Sequence, residues 1–198
     1  RDCLLSRGLG DVYKRQVKET EGEMLFYQSK VCEGVFHRIS SGATRDGLEV
    51  FGKMEKGYLL SVDSNWDMYG DGYLSGHYFS EEALREQLEK AYPGLVFTQE
   101  PLEKQINMHK RDKVGHILSL TVGNKTISGE EFRQLLELPS SNFTMQAADR
   151  KIRFLCKGQG HGLGLSQYGG NVLAKEGKSY QEILRYYFPE CEVKTKKS

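Results

Sequence analysis

Lys157 to Pro189 reads KGQGHGLGLSQYGGNVLAKEGKSYQEILRYYFP, with glycines at 158, 160, 162 and 164 alternating around His161 before the texture turns helical. A strand, a glycine-rich turn and a helix in succession suggest an anion site, because backbone amides at a helix start hold phosphates. The spacing excludes it: neither G-x-G-x-x-G nor G-x-x-x-x-G-K-[ST] can be placed on glycines that recur at every second residue. A nucleophile elbow needs G-x-S-x-G, but Ser166 lies in GLSQY, and His161 five positions earlier does not make a catalytic pair by nearness in sequence. What remains is a segment without Cβ atoms whose amides a bulky ligand can approach. His161, the Gln167 amide and the Tyr168 ring are the groups it offers, a set better suited to a sugar than to a phosphate. Equally, the glycines can serve only to let strand and helix pack closely around a satisfied histidine.

Outward from this stretch, FTMQAADRKIRFLC predicts a hairpin turning at Asp149-Arg150, whose second strand feeds the glycines. Helices follow from about Ser166 to Glu176 and, after Gly177, from a Ser179 cap with Glu182 to the stop at Pro189. VGHILSLTVGNKTISGEEFRQLLELP predicts a strand through Leu118, Leu120 and Val122, a Gly123-Asn124 turn, and a helix opened by the capping box Ser128/Glu131. YFSEEALREQLEKAYPG predicts an amphipathic helix capped by Ser80 and stopped at Pro93-Gly94, with Leu84, Leu88 and Ala91 facing the core. EMLFYQSKVCEGVFHRISSG predicts a hairpin turning near Gln28 to Lys30 and ending in the loop SSGAT. Hairpins and helices are interspersed without strict alternation, so the fold class is α+β: β-hairpins packed with several short amphipathic helices.

The chain has 198 residues, with 28 basic and 27 acidic side chains mixed along it. That balance argues against a nucleic-acid stripe or a polybasic membrane patch. No apolar run reaches the ~20 residues of a membrane span. Cys3, Cys32, Cys156 and Cys191 form no C-x-x-C pair, so their spacing reads as buried thiols, with a Cys156–Cys191 bridge as an alternative. Residues 1–16 have no clear period, and GLGDVYKRQ looks like translated adapter sequence, so they are set aside as a non-native segment. Trp66 in SNWD is expected in the core, with stacking on a sugar ring as its other reading.

GQGHGLGLSQYGGNVLAKEGKSYQEILRYYFP resembles the C-terminal signature of the stage II sporulation protein D family, which reads G-x-G-H-G-x-G-[ML]-S-Q-Y-G-A and ends in Tyr-[YF]-Pro. The resemblance extends upstream through ETEGEMLFYQSKVCEGVFHRISSGAT, YLLSVDSNWD and TISGEEFRQLLEL, from about Glu19 to Val193. Gly170 stands where the family usually has alanine, and SSGAT replaces the commoner Ser-Gly-Gly-x-Thr.

By this resemblance the implied activity is lytic transglycosylation of peptidoglycan strands stripped of stem peptides, with amidase enhancers as related members. One glutamate first protonates the glycosidic oxygen, then draws the proton from the muramic C6 hydroxyl, closing a 1,6-anhydro ring. The motif carrying that glutamate, Glu-Met-Pro before a helix, has no match in this chain. Glu23-Met24 belongs to the first hairpin, at an expected exposed strand position. The resemblance thus implies a partial domain over 17–193 lacking its N-terminal catalytic helix, with 194–198 a polar tail and no catalytic residue in the chain. His161, Gln167 and Tyr168, with Ser41 and Thr44 from the SSGAT loop, are the expected glycan-binding residues. No cofactor and no metal are expected, the zinc ligands of some relatives lying upstream. Expected partners are peptidoglycan glycan strands, other engulfment proteins or a cell-wall amidase, and no nucleic acid. The expected place is extracytoplasmic, at the cell envelope, with membrane contact only through an N-terminal anchor. The alternative is a non-catalytic glycan-binding or amidase-enhancing module.

Overall fold

A computed structural model describes residues 20–149 and 151–195. The expectations for residues 1–16 and for the end of the tail lie outside the described residues. The described residues separate into two units: 20–34 with 190–195, and 35–189.

The first unit is a three-stranded antiparallel sheet. β1 (Glu23–Tyr27) pairs with β2 (Lys30–Val31) on one edge and with β11 (Glu192–Thr195) on the other. Gln28 and Ser29 both have positive φ, 47° and 64°, as a two-residue hairpin turn that follows strand twist requires. Lys194 and Thr195 pair with Met24 and Glu23, so the strand continues into the span expected as a tail. Glu23 is half-buried there, where the sequence suggests an exposed carboxylate.

The second unit holds the remaining elements. β4 (Leu74–Ser80), β9 (Lys151–Lys157) and β8 (Phe143–Ala148) form one antiparallel sheet with β9 central. β5 (Ile106–Arg111), β6 (Ile117–Val122) and β7 (Lys125–Ile127) form another, and β3 (Phe36–His37) pairs in parallel with β10 (Leu165–Ser166). Five α-helices are described in the chain: α1 (Gly47–Phe51), α2 (Glu81–Ala91), α3 (Gly129–Leu135), α4 (Gln167–Lys175) and α5 (Tyr180–Tyr187). The class is α+β.

Helix starts follow from local chemistry. The Ser80 hydroxyl accepts from the Ala83 N–H, and full capping boxes, Ser128 with Glu131 and Ser179 with Glu182, open α3 and α5. Leu84 and Leu88 are fully buried. Ala91 is exposed, because it closes the last turn of α2 and Tyr92 packs against the core in its place. Phe132, Phe143 and Phe154 are all buried, with ring centroids 5.3 to 5.7 Å apart. Burying three such rings gives the apolar centre on which α3 and the two larger sheets meet.

Candidate functional site

β9 delivers the chain into the glycine stretch, and residues 35–45 receive it. Gln159 N–H donates to the Ile39 carbonyl (2.7 Å), whereas Arg38 and Ile39 both donate to the Gln159 carbonyl (3.1 Å each). Arg45 N–H donates to Gly162 O (2.7 Å), Leu165 N–H to Val35 O (3.0 Å) and Tyr168 N–H to Arg38 O (3.1 Å). The stretch is therefore a laced partner of the FHRISSGAT segment, with most of its amides occupied by protein.

The alternating glycines follow from this lacing. Gly158, Gly160, Gly162 and Gly164 have φ of 77°, 104°, 77° and 68°, a region costly for residues with a Cβ. A Cβ on Gly164 would overlap the Val35 carbonyl oxygen, and one on Gly162 would sit 2.9 Å from Arg45 Cδ and 3.0 Å from His116 Nε2. Close packing thus accounts for the glycines.

Three histidines converge around the stretch. Leu163 lies between two of them: its N–H donates to His161 Nδ1 (3.1 Å), and its carbonyl accepts from His37 Nδ1 (3.0 Å). The rings of His37 and His161 are 5.9 Å apart, edge to face. His37 is almost fully buried and its Nε2 has no partner. Burial pulls its pKa down to about 4, helped by the neighbouring His161 and opposed by the Leu163 carbonyl and Asp67. The third, His116, is buried between two serines, with Nε2 3.0 Å from Ser41 Oγ and Nδ1 2.9 Å from Ser141 Oγ. Desolvation, then the Arg45 charge, holds its pKa well below the ordinary value. His161 is also lowered, first by burial, although Glu130 and the Phe36 backbone act in the other direction.

Beneath them lies a buried ion pair. Arg45 Nε donates to Asp112 Oδ2 (2.5 Å) and Arg45 Nη1 to the His161 carbonyl (3.1 Å). Asp112 Oδ1 accepts from Val114 N–H and His116 N–H. One carboxylate thereby orients both the arginine that holds the glycine stretch and the turn that carries His116. Asp67 is a second buried carboxylate, accepting from Ser40 N–H (2.6 Å).

The residues singled out in the sequence fall into different settings. Gln167 stands exposed in the first turn of α4, whereas Tyr168, His161 and Ser41 are half-buried. Thr44 is fully buried; its hydroxyl donates to Leu60 O (3.1 Å) and accepts from Val62 N–H (2.8 Å), so it faces the chain rather than solvent. Ser166 is fully buried and caps α4 through Gly169 N–H (3.2 Å), a structural use that leaves no room for a nucleophile. Trp66 is half-buried against Tyr186, with ring centroids 5.8 Å apart. Sequence reasoning missed His116, Arg45, Asp112 and Asp67. His37 follows Phe36 before the SSGAT loop, and no local signal marks it as a cluster member.

For acid chemistry the direction of carboxylate shifts matters. Glu130, Glu131 and Glu182 all have their pKa displaced downward. Burial raises Glu130, but hydrogen bonds from Arg133 and its charge outweigh that. A proton donor to a glycosidic oxygen needs the opposite displacement. Among the described residues no group of three or more His, Cys, Asp and Glu is placed to hold a metal ion.

Fold and site together define an α+β protein in which a glycine stretch is locked into a histidine-lined core and presents a polar helix start. No family model matches the chain. It is 29% identical over 178 residues to stage II sporulation protein D of Bacillus subtilis (strain 168), covering 89% of this chain and 49% of that protein. Against the protein of the same name from Bacillus amyloliquefaciens it is 29% identical over 205 residues, covering 96% and 55%. It is also 42% identical over 50 residues to the amidase enhancer of Bacillus subtilis (strain 168), covering 25% of this chain and 7% of that protein. The chain thus spans about half the length of the sporulation relatives it matches.

Proposed function

We propose that this chain is the glycan-holding part of a sporulation or cell-wall remodelling protein, and that the whole protein is a lytic transglycosylase acting on denuded peptidoglycan strands. The observation that carries the reading is the similarity to stage II sporulation protein D along nearly the whole chain. On this reading Gln167, Tyr168, His161 and Ser41 touch the glycan, while Thr44 shapes the loop from within. On the same reading the chain binds strands, and the acid that breaks the bond belongs to the part of the whole protein that this chain does not span. The place of action is outside the cytoplasm, at the cell envelope. Similarity to an amidase enhancer supports a second reading, in which the same surface serves a cell-wall amidase without cleaving glycan itself.

Co-sedimentation with purified sacculi, with and without stem peptides, tests the binding claim. Binding that is stronger on stripped strands, and weakened roughly five- to tenfold in Gln167→Ala by loss of one hydrogen bond, is expected. Equal absence of binding to both overturns it. Digestion of stripped strands by the product of the full gene separates the two readings: anhydro-muramyl ends support the transglycosylase, and their absence with stimulation of an added amidase supports the enhancer.

A further inference from the structure

In the first unit two thiols meet that no part of the glycan reading uses. Cys32 directly follows β2 and Cys191 directly precedes β11, yet their Sγ atoms are 3.6 Å apart. The strands they adjoin pair with opposite edges of β1, and the Cys32 N–H is itself tied to the Leu25 carbonyl (2.9 Å). The backbone on both sides is therefore already fixed by pairing. A disulfide requires about 2.05 Å between sulfurs, so bonding draws the two together by about 1.5 Å. This pairing also differs from the Cys156–Cys191 alternative raised by the sequence.

We infer that Cys32 and Cys191 are a disulfide-forming pair, a covalent modification site that closes residues 32–191 into a ring. The unit boundaries lie just inside that ring, at Gly34/Val35 and Pro189/Glu190. The bond would make the whole of residues 35–189 a single closed loop, and a crosslink over so long a loop removes much of the freedom of the unfolded chain.

The chemistry is thiol–disulfide exchange with a donor disulfide, small-molecule or protein. Cys32 is half-buried and Cys191 is 6% exposed, so Cys32 is the first attacker. Burial, then the adjacent Cys32, pushes the Cys191 thiol up to about 12, which suits a group that acts second. The Cys32 thiolate forms a bond to one donor sulfur and releases the other as a thiolate. Cys191, losing its proton to that leaving thiolate, then attacks Cys32 Sγ and expels the second donor thiol. Two protein thiols become one disulfide, and the donor disulfide becomes two thiols. The pairing rests on the geometry of the first unit and not on the glycan reading, although an oxidising envelope would preserve the bond.

The test is a peptide map of the protein incubated with oxidised glutathione and alkylated before digestion. Trypsin should release residues 31–38 joined to residues 186–194, two hydrogen masses below the sum of the parts, and reductant should separate them. Alkylation of both cysteines, or Cys32 joined to a different cysteine, overturns the inference. The single tryptophan, Trp66, supplies a second readout within residues 35–189. The thermal midpoint followed by its fluorescence should fall by roughly 5–15 °C on reduction. In Cys32→Ser, which leaves the more buried Cys191 in place, reductant should have no effect. A linked chain that melts no later than the reduced one overturns the claim that the bond constrains this unit.

Discussion

His37 is held neutral in the fold, and that has a pH signature. Its pKa is about 4 in the folded chain against 6.5 for an unhindered imidazole. The unfolded chain takes up a proton as pH falls through 6.5, whereas the folded chain resists until about 4, so stability is full above 6.5 and lost between these values. His37 alone should cost about 2 kcal/mol at pH 5, and His116 and His161 shift in the same direction and add to it. Urea midpoints read from Trp66 should therefore fall from pH 7.5 to pH 5, with a shallower fall in His37→Gln. A flat profile would mean that the histidines are solvated. The Arg45–Asp112 pair makes a second residue-scale prediction. Asp112→Ala leaves a buried guanidinium without its carboxylate and takes from two backbone N–H donors the oxygen that accepts them, and should cost about 3–5 kcal/mol in urea unfolding. Adding Arg45→Leu should recover part of that loss, because the uncompensated charge goes with it. Neither device could be read in the sequence. Arg45 and Asp112 are 67 positions apart, and a histidine after a glycine carries no sign that two serines will bracket it. Gln167, His161 and Tyr168 could be found only because the glycine motif drew attention to their neighbourhood.

At the scale of the element, α4 carries two adjacent glycines with opposite expectations. A Cβ on Gly169 would overlap the Tyr187 hydroxyl and Trp66 Nε1 and lie 2.6 Å from Ser64 Oγ. Gly169→Ala should destabilise by about 3 kcal/mol, since three packed polar tips must move together. On Gly170 the new Cβ would meet Ile183 Cγ2 at 3.6 Å and Leu165 Cδ2 at 3.7 Å, ordinary contacts inside a helix. Gly170→Ala should stabilise by about 1 kcal/mol through helix propensity, and paired thermal melts of the two variants check both signs at once. What the sequence disclosed about elements follows the same division between local and distant causes. The caps at Ser80, Ser128 and Ser179 and the hairpin turns at Gln28-Ser29 and Asp149 were legible because their hydrogen bonds close within a few residues. β4, β5 and the parallel β3–β10 pair were not. β4 alternates exposed and half-buried residues without an apolar face, and β3 and β10 are two-residue strands whose partners lie far along the chain. The alternating glycines stood out in the sequence itself, but only the lacing to residues 35–45 explains their period of two.

For the molecule as a whole, the two units differ in what they bury. Every residue of the main apolar cluster, from Leu84 to Cys156, lies within 35–189. The first unit has three short strands whose described residues are half-buried or exposed, with Cys191 its one buried side chain among them. Three strands without a covered apolar face are marginal in water. A chain of residues 35–189 alone should therefore unfold cooperatively, with Trp66 fluorescence and near-ultraviolet dichroism lost in one transition. A peptide of residues 20–34 mixed with one of residues 190–195 should show no strand signal in amide infrared spectra. The comparison also separates two sources of stability. If the histidine cluster and ion pair account for the acid sensitivity, residues 35–189 should keep the full pH 7.5 to pH 5 loss seen in the longer chain, because His37, His116, His161, Arg45 and Asp112 all lie inside it. A reduced loss in the shorter chain would place the titrating groups in the first unit instead.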